Sequence, residues 1–304
     1  MKEKMSYCKA PSPKYLYEKR FEHDSCGVGF VADIKGRPSH QIVRDGITVL
    51  KNLVHRGALG GDLKTGDGAG MLLQMPHSYF AELAAGTGVA LPEKNHYGAG
   101  FFFLPRKSAE RKILKDAIEG IIAKEGGSVV FRRDVPVKPD CLGKIARDSM
   151  PFMEQVFVSF KGLSGDELER KLYVTRRLME KEALKRKAED FYISSFSSRT
   201  IVYKGMFAAP QFEDFYPDLK NKKFKSALAL VHQRYSTNTF PSWAMAQPFR
   251  GIAHNGEINT IKGNMNYMRA REATLESPLF GPEIKKLFPV VTEGASDSAI
   301  FDNT

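Results

Sequence analysis

Four stretches of the 304-residue chain set reactive or polar side chains into apolar surroundings. Cys26 opens the apolar run that ends at Ile34, and His232, Gln233 and Arg234 follow the most apolar run, residues 226–231. His254, Asn255, Gly256 and Glu257 follow Gly251-Ile252-Ala253, while Ser296-Asp297-Ser298 precedes Ala299-Ile300. A thiol, a guanidinium, a primary amide and a carboxylate are the groups from which nucleophilic and oxyanion-binding sites are made. Taken singly, each also has a plain structural use. A lone cysteine packs as a small hydrophobe, Asn-Gly makes a turn, and Ser-Asp-Ser caps a helix.

Spacing removes other chemistries. The seven histidines form no HExxH or HxH, and the three cysteines (Cys8, Cys26, Cys141) form no CxxC, so no zinc pattern exists. Gly61–Gly66 is followed by Asp67 rather than the Lys-Ser/Thr of a phosphate loop, and Gly66–Gly70 misses the dinucleotide-binding spacing. This glycine-dense loop is expected to turn tightly or to let backbone run close to something.

The elements that must carry these groups are readable from periodicity. Residues 26–34, 71–75, 99–104, 128–137, 155–160, 191–198, 200–205, 226–236 and 250–256 read as strands. Ser39 is placed to cap a helix whose face is Val43, Ile47, Leu50 and Val54. Ser108 opens a second, with Leu114, Ile118, Ile121 and Ile122 on one side, and residues 165–187 and 259–275 read as two more. Strands and helices come in groups rather than strict alternation, which favours α+β over a doubly wound sheet. No repeat or linker divides the chain, so one domain is expected.

Composition fits that picture, with 42% hydrophobic and 27% charged residues. No run of about 18 apolar residues exists, which argues against a membrane span. Three cysteines cannot form a disulfide framework, and residues 1–25 lack the apolar core of a signal peptide. The expected compartment is the cytoplasm. The net charge of +11 raises the question of nucleic acid, but no zinc-finger spacing or aromatic RNA-binding pattern accompanies it. The basic stretch 161–187 and Lys220, Lys222, Lys223 and Lys225 are read as solvated faces and a strand-end gatekeeper, with no nucleic-acid partner expected.

Together the motifs fall into a familiar order: Cys26-Gly27-Val28-Gly29-Phe30, then His55-Arg56-Gly57, then HQRYSTNTFPSW (232–243), HNGEINT (254–260) and SDSA (296–299). The series resembles the class II glutamine amidotransferases, which are N-terminal-nucleophile hydrolases. The wording is nearest to the glutaminase domain of the glutamate synthase large chain, with KTGDGAG (64–70), QRYSTNTFPSW (233–243) and HNGEINT particular to that branch. The likeness runs from about residue 22 to the end.

The resemblance implies an α+β fold, a four-layer αββα sandwich with two antiparallel sheets. It also implies that L-glutamine is hydrolysed to glutamate and ammonia through a Cys26 γ-glutamyl thioester. Residues 1–25 would be a leader, and residues 26–304 the amidotransferase domain, which stops earlier than the family's domain does. Removing the leader would make Cys26 the first residue, with its own α-amino group as base. An α-amine, with a reference pKa of about 7.7–8.0, exchanges protons readily near neutrality. By the same resemblance the Asn255 amide and the Gly256 N–H form the oxyanion hole. Arg234 and Thr237 bind the glutamine α-carboxylate, Asp297 receives the α-ammonium, and Arg56 supports the nucleophile or braces its loop. Trp243 is either part of a lid over glutamine or ordinary core.

A glutamate-synthase-type acceptor domain or subunit is the expected partner, making glutamate from 2-oxoglutarate. No cofactor is expected in this chain, and FMN and an iron–sulfur cluster belong to a separate synthase domain. Two rivals stay open: an amidotransferase feeding another acceptor, and a non-catalytic glutamine-binding subunit whose leader is never removed.

Overall fold

The computed structural model describes residues 26–188, 190–234, 240–256 and 258–304. The leader expected at residues 1–25 therefore lies outside the described residues.

Among the described residues, eight strands form two antiparallel sheets of four. The first runs β1 (Val28–Ala32), β8 (Leu228–Gln233), β2 (Ala69–Gln74), β7 (Thr200–Gly205). The second runs β4 (Gly127–Asp134), β5 (Phe152–Phe160), β3 (Gly98–Leu104), β6 (Tyr192–Ser197). Helices pack against both: α1 (His40–Asn52) on the first sheet, α3 (Ser108–Lys124) and α5 (Gly165–Lys185) on the second. In chain order α2 (His77–Ala85) falls between α1 and α3 and α4 (Lys144–Asp148) between α3 and α5, while α6 (Phe212–Phe215), α7 (Ile261–Glu272) and α8 (Asp297–Asn303) follow α5. Two antiparallel sheets with helices laid on them make the α+β architecture that was expected. Among the described residues no helix is long and apolar enough to cross a membrane.

Strand β3 explains how one sequence run serves two cores. Successive strand side chains point to opposite faces. Phe101 and Phe103 join the main cluster with Tyr203 and Trp243, while Phe102 and Leu104 join a second cluster with Ile118 and Leu172. Both faces are covered, so the run shows no polar alternation. Each buried Phe contributes roughly 1.5–3 kcal/mol of transfer free energy. The Phe101–Tyr203 edge contact ties the second sheet to the first.

Helix α1 begins where expected: Ser39 accepts from the Ile42 N–H, and Val43, Ile47 and Leu50 are buried. Helix α3 opens at Ser108 as expected, with Lys107 at the cap position making no side-chain bond. Helix α2 has no counterpart in the sequence reading. It is nine residues long and starts directly after Pro76, too short for periodicity to declare it.

Two expected strands are corrected. Residues 250–256 are not a strand, because side chains rather than a ladder take their backbone groups. Gly251 N–H donates to Asp302 Oδ1 (2.7 Å), and His254 C=O accepts from His232 Nε2 (3.2 Å). Strand β8 stops at Gln233 because Arg234 takes φ 145° and gives its N–H to the Gly68 carbonyl (2.9 Å).

The basic stretch also departs from expectation. Arg176 and Arg177 are buried rather than solvated, each 2.6 Å from Glu180. Burial pushes the Glu180 carboxyl up, but the charges of Arg176, Arg250 and Arg177 outweigh it and hold the group at about 2.

Candidate active site

Three strand ends converge at one edge of the first sheet: the start of β1, the end of β8 and the start of β2. The register sets Val28 against His232 and Ala69 against Gln233. Gln233 N–H continues the ladder to the Gly27 carbonyl at 2.8 Å. Cys26, exposed, is therefore one residue from the ladder bond that joins Gly27 to Gln233, although some two hundred residues separate these strands in sequence.

Asn255 closes the fourth side. Its Oδ1 accepts from the Gly27 N–H at 2.7 Å. Because a backbone N–H can only donate, that bond fixes which end of the amide faces Gly27, and Nδ2 with its two hydrogens is the other end. The approach needs a glycine: a Cβ on Gly27 would lie 2.9 Å from the Gln233 carbonyl and 3.4 Å from Asn255 Oδ1. Gly256 is exposed, with nothing within 4 Å of where its Cβ would stand.

A ring of polar contacts holds this loop. His254 Nε2 lies 2.8 Å from Ser298 Oγ. Asp297, buried in the first turn of α8, accepts from the Ile258 N–H (3.0 Å) and from the Ser298 N–H (2.7 Å). Ser296 caps the same helix through the Ala299 N–H. Asp302 holds Gly251 and pairs with Arg250 at 2.8 Å. Helix α8 thus braces residues 250–258 at both ends.

His232 supports the loop from the sheet side, its Nε2–H donating to the His254 carbonyl (3.2 Å). Burial, with the charges of His254 and Arg234 adding to it, lowers the His232 pKa from 6.5 to about 4. The sign follows: between about 4 and 6.5 the unfolded chain binds a proton that the folded chain does not. Stability is full above that window and falls as pH drops through it. Going from pH 7 to pH 5, the unfolding free energy is expected to drop by about 2 kcal/mol more in this protein than in His232→Gln, measured by urea titration. Equal losses in the two proteins would show that His232 does not carry the effect.

The sequence-predicted residues are distributed as follows. Cys26, Arg234, Asn255 and Gly256 come to one place, and Asp297 joins them through Ile258. Arg56 is half-buried on a short turn after α1, and among the described residues its Nε has no hydrogen-bond partner. Thr237 lies outside the described residues. Trp243 is core: it is 4% exposed, its Nε1–H donates to the Ala146 carbonyl (3.1 Å), and Phe103 and Phe207 meet it edge-on. Beside it Lys204, fully buried and driven well below its ordinary pKa by that burial, donates to the Ala244 carbonyl at 2.8 Å and ties down the segment leading to Asn255.

Sequence reasoning assigned no role to His232, Gln233, Ser298 or Asp67. The first two sit inside the quoted HQR run and Asp67 inside the glycine loop, so the signal was their adjacency to residues that were assigned.

Volume alone does not mark this site. A cleft of about 860 Å³ opens elsewhere, between Arg106, Lys107 and the end of α5, where its charges are largely paired with one another. Among the described residues no group of three or more His, Cys, Asp and Glu could hold a metal ion.

Comparison with known proteins supplies the family context. Residues 26–304 match the family model for class-II glutamine amidotransferases. The chain is 45% identical over 301 residues to the glutamate synthase (NADPH) large chain of Bacillus subtilis strain 168, covering 98% of this chain and 20% of that one. It is 45% identical over 288 residues to the corresponding large chain of Azospirillum brasilense, covering 94% and 19%. To the ferredoxin-dependent glutamate synthase 2, chloroplastic, of Arabidopsis thaliana it is 43% identical over 295 residues, covering 96% and 18%. The chain spans about a fifth of the length of these relatives.

Proposed function

The chain belongs to the class II glutamine amidotransferases, and from that premise we propose that it hydrolyses L-glutamine to glutamate and ammonia at Cys26. The observation that carries this reading is the Gly27 N–H to Asn255 Oδ1 hydrogen bond, which sets an amide donor one residue from the thiol.

Amides are poor electrophiles, so the nucleophile must be strong and the developing oxyanion must be held. The Cys26 sulfur attacks the side-chain carbonyl, and the negative oxygen is received by Asn255 Nδ2 and the Gly256 N–H. Neutral donors suit this position because they do not pair permanently with a nearby thiolate. Ammonia leaves with the proton taken from the thiol, and water then cleaves the γ-glutamyl thioester to give glutamate and restore the thiol. The base is the α-amino group of Cys26, available once residues 1–25 are removed. The family model's match begins at Cys26 itself, which supports that processing. With residues 1–25 attached the nitrogen is an amide, and the chain would bind glutamine without turning it over.

Arg234 grips the α-carboxylate, for which a planar two-pronged donor is well shaped, and Thr237 adds a hydroxyl. Asp297 receives the α-ammonium. Its carboxylate also accepts from the Ile258 and Ser298 N–H groups and from the Ser298 hydroxyl, which hold it in place on the first turn of α8. Arg56 braces the loop beside the nucleophile. Reading both ends of the amino acid separates glutamine from asparagine, one methylene shorter.

The ammonia is proposed to feed glutamate formation from 2-oxoglutarate in a glutamate-synthase-type domain or subunit, as the names of the relatives favour. FMN and an iron–sulfur cluster would serve that step. Three cysteines fall short of the four thiolates a cluster ordinarily takes, so the residues of this chain do not fit one, and no step here runs through it.

Ammonia release from L-glutamine but not from L-asparagine is the test of this reading. Arg234→Ala is expected to raise the glutamine KM about 10- to 100-fold with kcat changed only a few-fold, as loss of a charged two-pronged contact implies. An unchanged KM would remove Arg234 from the carboxylate site.

A further inference from the structure

Among the described residues, Arg56 Nε, Asp67 Oδ1 and Gln233 Oε1 are buried polar atoms without a hydrogen-bond partner. They surround Gly57, whose missing Cβ would stand 2.2 Å from Gln233 Nε2 and 3.3 Å from Asp67 Oδ1. Such groups are rare in folded proteins, since each forgoes water without replacement. Asp67 is 6% exposed and Gln233 is fully buried. Both are tied to Arg234 by the backbone: the Gly68 carbonyl accepts from the Arg234 N–H (2.9 Å) and from Gln233 Nε2 (3.3 Å). Arg234 itself is held at φ 145°, a conformation costing an L-residue of the order of 1–3 kcal/mol, which neighbours must impose.

We propose that Asp67 is a positioning residue of the glutamine site, acting on Arg234 so that its guanidinium faces the substrate α-carboxylate. This rests on the glutamine reading above. A guanidinium has five N–H donors, of which a carboxylate takes two. The rest need acceptors, and Asp67 Oδ1 is a buried acceptor with none of its capacity used on that side. Its charge has the right sign to keep Arg234 from swinging into solvent when the pocket is empty. Consistent with this placement, burial pushes the Asp67 carboxyl up to about 6, while the backbone N–H of Ala58 and the Arg234 charge oppose the rise. A purely structural Asp67, holding only the glycine-rich turn, would act on stability and not on the carboxylate.

The test is a double-mutant cycle on the processed protein that begins at Cys26, reading glutamine KM and kcat together with L-glutamate affinity by calorimetry. Asp67→Asn keeps shape and an acceptor and removes the charge. It is expected to raise the glutamine KM at least tenfold with kcat within about twofold, and to weaken L-glutamate equally. In the Arg234→Ala background the same change is expected to add less than twofold, because the residue it acts through is gone. Additive effects, or an unchanged KM, would overturn the proposal. If Asp67→Asn does not fold, Asp67→Ser, which also keeps an acceptor for the turn, replaces it in the cycle. No ammonia release and no glutamine binding by the unsubstituted protein would overturn the glutamine reading instead, and this proposal with it.

Discussion

Replacing Cys26 with alanine is expected to lower ammonia release from glutamine by about four orders of magnitude or more, while glutamine affinity stays within about threefold. The separation follows from where the residue stands. The Cys26 side chain is exposed, and the bonds that hold its surroundings come from Gly27, whose carbonyl accepts from Gln233 and whose N–H donates to Asn255. Alanine removes the nucleophile without touching either bond. The proposed binding groups, Arg234 and Asp297, belong to other elements. Retained turnover in Cys26→Ala, assayed by ammonia release, would refute its role. Loss of binding together with turnover would mean that the thiol also shapes the pocket.

The second large effect is expected at Asn255. Removing one oxyanion donor costs about 2.7–4 kcal/mol of transition-state stabilisation, or about 10²–10³ in kcat. Asn255→Asp is the sharper substitution. It preserves the acceptor for the Gly27 N–H and so keeps the loop in place, yet it removes the Nδ2 donors and adds a negative charge where negative charge develops. It is expected to lower kcat at least as far as Asn255→Ala, with KM within a few-fold. Asn255→Ala additionally strands the Gly27 N–H, which adds about 1–3 kcal/mol of destabilisation. An Asn255→Asp enzyme with normal kcat would show that the side chain only anchors Gly27.

The strands and long helices were legible because their signals are local. β3, α1 and α5 each carry a pattern that one window of sequence contains, and they fall within a few residues of the expected limits. The misses arose where distant groups override local preference. Residues 250–256 look like a strand, but Asp302 and His232 claim their backbone groups. Arg176 and Arg177 look solvated, but Glu180 and the carbonyls of Pro289 and Val290 take them inside.

The site divides in the same way. Motif order across the whole chain brought out Cys26, Arg234, Asn255 and Asp297, since their types and sequence match a chemistry. It was silent on Asp67, His232 and Gln233, which touch no substrate in the proposed mechanism. Their importance depends on burial and on partners far apart in sequence, and neither is written in a residue's neighbours. Trp243 makes the same point in reverse: its conspicuous motif suited a lid equally well, and only packing against Phe103 and Phe207 places it in the core.

The central claim is a processed cysteine competent to attack a glutamine side chain. Intact mass of the purified protein, before and after treatment with diazo-oxo-norleucine, tests it most directly. A mass beginning at Cys26 that gains one stoichiometric adduct is the expected result. A mass that begins at Cys26 and gains none would contradict the claim. A mass that still includes residues 1–25 and takes no adduct would also count against it, leaving a glutamine-binding chain without turnover as the better description.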